Sequence, residues 1–319
     1  MSSLTLNISD PGDSKADKEI TDTLQSLVNG SIDPAAAAHV IDKTVVTDCQ
    51  EGLASYTSVP NPTSSQLEDG TIRAPYPAGW LKFLWDCVGK AAMEVPSDHP
   101  GQDRLVTLLQ ELQRLPRHSV PELVAGELSE RELWTSTPAN RFEGLELWLW
   151  ELDQGTFTAA QQVESSHSVA ASYVNFSAFL ARLLAGGVEE ATRMSALIQP
   201  SPFGTSSPLI SPKYPDAAEA ARHYEPYASA AAQWVFHAGD ALFEMCEKGV
   251  IIDIGKQRWT RALWNGWKAK FDTIAKADRF SSQCRSLATQ AVERMTQIEK
   301  SGTSSNIVDR FGFMSTEED

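Results

Sequence analysis

The segment from Asp98 to Pro116 constrains the fold more than any other part of this 319-residue chain. Its leucines recur at the spacing of one helix face, so the segment predicts an amphipathic α-helix with a buried stripe. Ser97 and Asp98 offer side-chain acceptors for the first free N–H groups, and Pro116 ends the helix because it cannot continue the hydrogen-bond ladder. The stripe consists of Leu105, Leu108, Leu109, Leu112 and Leu115.

The same periodicity recurs along most of the chain and predicts an all-α fold, a single irregular helical bundle domain of about ten helices. We expect this domain to span residues 18–300, between a disordered N-terminus (1–17) and a disordered acidic tail (301–319). Residues 120–134 and 142–152 are assigned as helices because their neighbours are helical, although alternation alone also permits a strand in the second. The other predicted helices include residues 80–93, 168–185, 217–248, 257–277 and 281–299.

The charge of the chain argues against nucleic acid as a partner. The formal net charge is −15 with a pI near 4.9, and there is no stripe of Lys and Arg that could neutralise phosphates. No apolar run approaches the roughly 18 residues of a membrane span, and the N-terminus lacks a secretory signal. We therefore expect a cytoplasmic protein without a membrane span. Its cysteines are expected to be reduced core thiols, because Cys49, Cys87, Cys246 and Cys284 form no Cys-x-x-Cys pair.

The predicted helix 217–248 carries a polar stripe along one face, opposite an apolar side that includes Trp234. Mg²⁺ prefers carboxylates and keeps waters, so Asp240 and Glu244 could hold a magnesium ion, with His237 as a further ligand. An ordinary solvated face of an amphipathic helix explains the same pattern. The stripe consists of Gln233, His237, Asp240, Glu244 and Glu247.

The predicted helix 257–277 combines tryptophans with basic residues. Trp264 and Trp267 lie on its apolar stripe, and Arg261 and Lys268 lie about one turn before and after Trp264. A cation beside an aromatic wall could hold an anionic ligand and stabilise a cationic intermediate. Alternatively, the tryptophans belong to the core, and Lys268 pairs with Asp272 four residues later.

Asn175 lies on the predicted helix 168–185 among aromatic residues that include Tyr173, Phe176 and Phe179. Because a partly buried amide must find hydrogen-bond partners, Asn175 is either a structural latch or a ligand contact. Common catalytic motifs are missing from the sequence. It has no Gly-x-Ser-x-Gly elbow, no phosphate-binding Gly-Lys-Ser/Thr loop, no His-Glu-x-x-His pair and no aspartate-rich Asp-Asp-x-x-Asp motif.

Four segments, in order, carry a family resemblance. The first is a Trp-rich helix followed by Asp-His-Pro-Gly-Gln-Asp-Arg-Leu-Val, and the others are Val174–Leu183, Ala230–Gly239 and the Trp-x-x-Trp-Lys-x-x-Phe run Trp264–Phe271. Together they cover roughly residues 75–295. This set resembles a family of filamentous-fungal proteins grouped as DUF3632, with members in secondary-metabolite gene clusters. The resemblance implies an all-helical intracellular fold.

The same resemblance implies a chemistry, because distant relatives in fungal tropolone–terpenoid pathways are unusual sesquiterpene cyclases that make humulene from farnesyl diphosphate. They work with Mg²⁺ and an essential lysine in place of the aspartate-rich motif, and Lys268 is the position most similar to that lysine. The resulting hypothesis is a Mg²⁺-dependent humulene-type cyclase, a lyase of fungal secondary-metabolite biosynthesis whose ligand is an isoprenoid diphosphate or another small apolar molecule.

In this hypothesis Lys268 is catalytic, and Asp240, Glu244 and His237 hold the metal. The alternative hypothesis is a non-catalytic helical binding or scaffold protein of a biosynthetic gene cluster, and neither hypothesis specifies an oligomeric state. The substrate-binding residues of the cyclase hypothesis are Trp264, Trp267, Asn175, Phe179, Trp234 and Arg261.

Overall fold

The structure, a computed structural model, describes residues 3–134, 136–137, 140–141, 145, 148–149, 151–153, 155, 167–188, 216–251 and 258–301. Helices dominate these residues, which confirms the predicted predominantly helical fold. The chain divides into two compact units. The first comprises Met1–Val95 and His99–Leu149, and the second comprises Pro96–Asp98 and Trp150–Asp319. The domain boundaries predicted from the sequence stay a prediction. Of the helices in the described ranges, none has the length and apolar character needed to cross a membrane.

The first unit is built on helices whose starts follow from the local sequence. Ser14, Asp33 and Thr63 each accept a hydrogen bond from a backbone N–H in the first turn of the helix that follows. Such caps satisfy donors that have no partner within the helix. The helices are α1 (Lys15–Val28), α2 (Pro34–Thr57), α3 (Ser64–Glu68), α4 (Pro77–Glu94) and α5 (Gly101–Arg114).

Helix α5 confirms the helix predicted before Pro116, but its predicted cap is wrong. The N-cap is Pro100, which leaves Ser97 and Asp98 too early in the chain to reach the first turn. The Nδ1 atom of His99 accepts a hydrogen bond from the N–H of Gly101 at 3.0 Å instead. The predicted stripe is buried at Leu105, Leu108, Leu109 and Leu112.

Helices α4 and α5 are joined by a buried amide. The Nε2 atom of Gln102 donates to the carbonyl oxygens of Ala92 and Val95, at 2.9 and 2.7 Å. These carbonyls belong to the C-terminal end of α4, where the last C=O groups of a helix have no intrahelical partner. Gln102 therefore stabilises the tight connection between the two helices.

Residues 119–132 form a β-hairpin, so the helix predicted over residues 120–134 is wrong. Strand β1 (Ser119–Val124) pairs antiparallel with β2 (Glu127–Glu132) through the two-residue turn Ala125-Gly126. Both turn residues have positive φ, 50° and 87°, which a type I′ hairpin turn requires. The sequence signal was weak because Ala-Gly is not one of the Asn-Gly or Asp-Gly pairs that mark such turns. A second, shorter hairpin pairs β3 (Ser136–Thr137) with β4 (Asn140–Arg141).

The sequence predicts disorder over residues 1–17, whereas side chains of the first unit hold the beginning of this segment. The N–H of Leu4 donates to Oδ1 of Asn29 at 2.8 Å, and the N–H of Leu6 donates to Oε1 of Gln25 at 2.7 Å. Ile8 is buried. The polar composition of this segment is typical of disorder, and most of its contacts are made by backbone groups that leave no apolar pattern in the sequence.

The second unit is built on α6 (His167–Gly186), α7 (Ala217–Lys248), α8 (Arg261–Lys276) and α9 (Ser282–Ser301). Helix α7 is central because it contacts the other three. Gly187 and Gly249 end α6 and α7 with φ of 66°, a left-handed conformation that glycine adopts without strain. These helices confirm those predicted over residues 168–185, 217–248, 257–277 and 281–299.

Two predictions lie outside the described residues: the acidic tail beyond Ser301 and most of the helix over residues 142–152. The prediction of reduced core cysteines is confirmed, since all four are buried free thiols. Burial raises the pKa of each thiol to about 12. They are therefore neutral core side chains at physiological pH.

Candidate functional site

The lysine predicted to be catalytic is bound to a carboxylate of the next helix. The Nζ atom of Lys268 on α8 lies 2.7 Å from Oε2 of Glu299 on α9. The other oxygen of this carboxylate, Oε1, accepts a hydrogen bond from Nε1 of Trp264 at 2.9 Å. Asp272, the alternative partner predicted for Lys268, is bound to Lys276 instead, at 2.7 Å. We refer to Trp264, Lys268 and Glu299 as the Glu299 cluster.

The charges of the Glu299 cluster satisfy one another. The side chains of Lys268 and Glu299 are 25% and 19% exposed. Burial on its own would raise the pKa of Glu299, but the hydrogen bonds from Lys268 and Trp264 outweigh it and leave this pKa below its usual value. Glu299 is therefore ionised at neutral pH. An external anion would reach the Lys268 ammonium only in competition with Glu299.

The predicted aromatic wall is part of the packed core. Trp264 and Trp267 are 0% and 3% exposed. Phe243 meets Trp264 edge to face with ring centroids 5.1 Å apart, and Trp259 meets Trp267 in the same way at 5.1 Å. Aromatic pairs of this kind contribute about 0.5–1.5 kcal/mol beyond the burial of their area. These tryptophans hold α7, α8 and the segment before α8 together.

Three further predicted substrate contacts are also engaged inside the second unit. The Nη1 atom of Arg261 lies 2.8 Å from Oε1 of Glu247, and its guanidinium lies 4.4 Å from the ring centroid of Phe243. Trp234 on α7 is 2% exposed, and Phe179 on α6 is fully buried. The packing of α6, α7 and α8 accounts for all three positions.

The predicted metal ligands of α7 are separated by ion pairs of their own. Asp240 is bound to Arg294 of α9, and Oε1 of Glu244 lies 3.1 Å from Nζ of Lys248. His237, one turn before Asp240, is half-buried. Within the described ranges, no group of three or more His, Cys, Asp and Glu side chains is arranged to hold a metal ion. The magnesium site stays a prediction.

Asn175 holds a short segment of the second unit against α6. Its Oδ1 atom accepts a hydrogen bond from the N–H of Ser97 at 2.9 Å, and Nη2 of Arg182 donates to the carbonyl of Ser97 at 2.8 Å. The backbone of Ser97 is thus fixed on both sides. Such a contact is what a structural latch requires, and the ligand contact at Asn175 stays a prediction.

A second carboxyl of the same unit has the opposite environment. Asp153 is 3% exposed, and burial raises its pKa to about 7. Tyr173 on α6 is equally buried, and desolvation raises its pKa well above the usual value. The neighbouring charges of Asp153 and Tyr227 raise this pKa further, while a hydrogen bond with Ser177 opposes them. We refer to Asp153, Tyr173, Ser177 and Tyr227 as the Asp153 cluster.

Aromatic rings extend from the Asp153 cluster. Tyr173 and Tyr227 meet edge to face with centroids 5.7 Å apart, and Tyr224 continues the row 6.5 Å from Tyr227. Phe280 follows 6.3 Å from Tyr224. The cluster therefore combines an acid that titrates near neutral pH with hydroxyl groups and an apolar aromatic surrounding. These are the elements of proton transfer to a weakly polar molecule.

Sequence reasoning missed both carboxyls, although one had left a signal. Asp153 follows Leu145 and Leu149 at intervals of four, and both leucines are buried. An acidic side chain that continues a buried helical stripe is rare unless it is paired or functional. Glu299 left no such signal, because its partners are 31 and 35 residues away and meet it only through the packing of α8 against α9.

A comparison with known protein families identifies the family of this chain. The family described as "Protein of unknown function (DUF3632)" matches residues 85–271. The chain belongs to this family. All four residues of the Asp153 cluster lie within the DUF3632 match, whereas Glu299 and Arg294 lie beyond it. No curated protein and no solved structure matches the chain.

Proposed function

We propose that this DUF3632 protein is an enzyme of small-molecule biosynthesis in which Asp153 is the reacting acid and base. The observation that carries this proposal is the burial of Asp153 beside Tyr173, with a pKa of about 7. A group whose pKa lies near the operating pH is the most effective in general acid–base catalysis. Perturbed carboxyls of this kind cluster at functional sites.

The surroundings of Asp153 favour a small apolar substrate, isoprenoids included. Tyr173, Tyr227 and Tyr224 supply ring faces that bind hydrocarbon and would stabilise positive charge formed on it. The neutral form of Asp153 would donate a proton to the substrate, and its carboxylate would take a proton back. The hydroxyls of Tyr173 and Ser177 would orient the acid and the substrate.

The test is turnover of a panel of isoprenoid diphosphates and the corresponding alcohols, read by gas chromatography. The wild-type chain is compared with Asp153→Asn, which keeps the shape of the side chain and removes the proton. Loss of the general acid should lower turnover by about 10²–10⁴-fold. Glu68→Gln, at an exposed carboxylate of α3, is the matched control and should leave turnover unchanged. Undiminished turnover by a folded Asp153→Asn variant would overturn the proposal.

The humulene-type cyclase is a narrower form of the same proposal. It places a diphosphate at Lys268 and Mg²⁺ at Asp240 and Glu244, so the ion pairs of Lys268 with Glu299 and of Asp240 with Arg294 would have to open. Incubation with farnesyl diphosphate and Mg²⁺ tests it. Humulene that is formed by the wild-type chain and lost in a folded Lys268→Met variant would support it. Humulene formation that is unaffected by that variant would eliminate Lys268.

The second candidate function is a non-catalytic helical binding or scaffold protein. It is favoured by the pairing of the charged side chains that the cyclase hypothesis requires: Lys268, Asp240 and Glu244 each have a protein partner of opposite charge. This function predicts that a panel compound raises the melting temperature of the wild-type chain and of Asp153→Asn alike, with no product from either. Product formation by the wild-type chain would eliminate it.

A further inference from the structure

The hairpin of the first unit leaves one strand edge open. The outer edge of β1 is covered where the N–H of Leu123 donates to the carbonyl of Pro75 at 3.3 Å. Strand β2 pairs with β1 on one side, and no described residue pairs with its other side. Along β2 only Arg131 is half-buried, and the remaining residues are exposed. Strand β2 is therefore an accessible edge strand.

The register shows which backbone groups face outward from β2. Glu130 lies opposite Pro121. Because proline has no N–H, this is a position of the antiparallel ladder without hydrogen bonds, and the N–H and C=O of Glu130 point away from β1. Leu128, two residues earlier, has the same orientation. Each of these two residues presents one donor and one acceptor at the open edge.

The side chains along this edge alternate in a way that selects a partner. Leu128 and Glu130 share one face of the hairpin, because side chains two residues apart point the same way. Leu128 is 46% exposed, and Glu130 is exposed opposite an uncharged residue. Glu132 follows on the same face, with Nε of Arg117 3.6 Å from its carboxylate. This face of β2 therefore carries one apolar side chain, Leu128, followed by the carboxylates of Glu130 and Glu132.

We propose that β2 binds an extended basic segment of a partner protein by strand addition, with an apolar residue beside Leu128 and lysine or arginine beside Glu130. In this mode the main-chain hydrogen bonds give affinity, and alternate side chains give specificity. A second copy of this chain does not fit, because an edge bearing Glu127, Glu130 and Glu132 would meet the same three carboxylates, and like charges across strands destabilise the pair. The surface is independent of the Asp153 cluster, so its test does not depend on the proposed enzyme.

The test uses the full chain and a fluorescein-labelled peptide, Thr-Lys-Thr-Lys-Thr-Val-Thr, with fluorescence anisotropy as the readout. A matched peptide carries glutamate at both lysine positions. The lysine peptide should bind saturably, and the glutamate peptide should bind at least roughly tenfold more weakly. Glu130→Lys should reverse this preference. Glu68→Gln removes an exposed carboxylate of α3 and should bind as the wild-type chain does.

A backbone variant separates strand addition from simple charge attraction. Glu130→Pro removes the outward N–H without removing a bond of the β1–β2 ladder, because Glu130 faces Pro121. It should bind the lysine peptide about tenfold more weakly than Glu130→Gln, which loses the charge alone. Circular dichroism confirms that each variant is folded. Equal binding by Glu130→Pro and Glu130→Gln, equal binding of the two peptides, or no saturable binding below about 1 mM would each overturn the proposal.

Discussion

The Glu299 cluster and the Asp153 cluster of the second unit place a carboxyl in two different environments, with opposite results for its pKa. Glu299 meets an ammonium and an indole N–H, which hold its pKa below the usual value. Asp153 is more deeply buried, and desolvation raises its pKa to about 7. Hydrogen bonds from an ammonium and an indole keep the partly exposed Glu299 charged, whereas desolvation raises the pKa of the more deeply buried Asp153. The first arrangement holds helices together, and the second keeps a proton available near neutral pH.

The hypothesis drawn from the sequence places the chemistry at Lys268, whereas we propose Asp153 as the reacting group. Lys268, predicted to be catalytic, is part of the arrangement that joins α8 to α9. Asp153, which no sequence motif marks, is deeply buried and has a raised pKa. A charged side chain that stands out in a sequence can therefore be engaged in an ion pair that joins two helices.

The largest expected effect is on stability, at Trp264. Replacing this fully buried residue by alanine leaves a cavity and removes the indole bond to Glu299, so Trp264→Ala should lower the free energy of unfolding by about 3–5 kcal/mol. Urea denaturation measures this change. Trp264→Phe keeps an aromatic ring and loses the indole N–H. It should therefore cost less than half as much free energy of unfolding as Trp264→Ala. A Trp264→Ala cost under about 1 kcal/mol would show that the Glu299 cluster does not hold the helices together.

The next effect concerns the pH dependence of stability at Asp153. Because its folded-state pKa is raised, its contribution is fully present below the unfolded pKa of about 3.9 and is lost as the pH rises through about 7. Asp153→Asn cannot lose a proton, so its stability relative to the wild-type chain should increase between pH 5 and pH 8, by about 3 kcal/mol at most. Urea denaturation at several pH values measures this trend. A difference that does not change with pH would refute the raised pKa.

Lys268→Met should have a smaller effect on stability than Asp153→Asn, and its pH dependence should have the opposite direction. Glu299 has a lowered pKa, so its contribution is present above the usual carboxyl pKa of about 4.3 and is lost as the pH falls through its folded-state value. Lys268→Met breaks this pair and should cost about 1–3 kcal/mol at pH 7, with the difference shrinking in acid. Thermal unfolding at pH 7 and pH 3 compares the two conditions. A cost that persists undiminished at pH 3 would exclude the ion pair as its cause.

The smallest effect is expected at Lys276, which pairs with Asp272 four residues earlier on α8 and is 73% exposed. Surface pairs of this kind contribute little, so Lys276→Ala should change the free energy of unfolding by no more than about 0.5 kcal/mol. It is the matched control for Lys268→Met, because it removes a lysine from the same helix. A loss as large as that of Lys268→Met would mean that removing any lysine from α8 has this effect, and that the pairing of Lys268 with Glu299 is not its cause.

The helices could be predicted from the sequence because their signals are local. In α5 the buried leucines recur at helical spacing, and Pro116 marks its end. The hairpin could not, because the Ala125-Gly126 turn lacks the usual residues and the exposed β2 strand carries no apolar alternation. The N-terminal segment leaves no periodic signal in the sequence, because its contacts are backbone hydrogen bonds to the side chains of Gln25 and Asn29.

The candidate site was less predictable, because it depends on contacts between distant residues. The periodicity of the sequence places Lys268 and Trp264 on one helix. It does not show that both side chains donate hydrogen bonds to Glu299 of the next helix. Asp153 could have been found by following the stripe of Leu145 and Leu149. The proximity of Asp153 to Tyr173 could not be predicted, because it depends on how the second unit packs.

The most direct test of the central claim is the titration of the Asp153 carboxyl itself. The ¹³C resonance of this carboxyl, assigned by its absence in Asp153→Asn, can be followed by NMR from pH 3 to pH 9. A buried acid that keeps its proton near neutral pH predicts a midpoint near 7. A midpoint below about 5 would show an ordinary ionised carboxylate and would contradict the account.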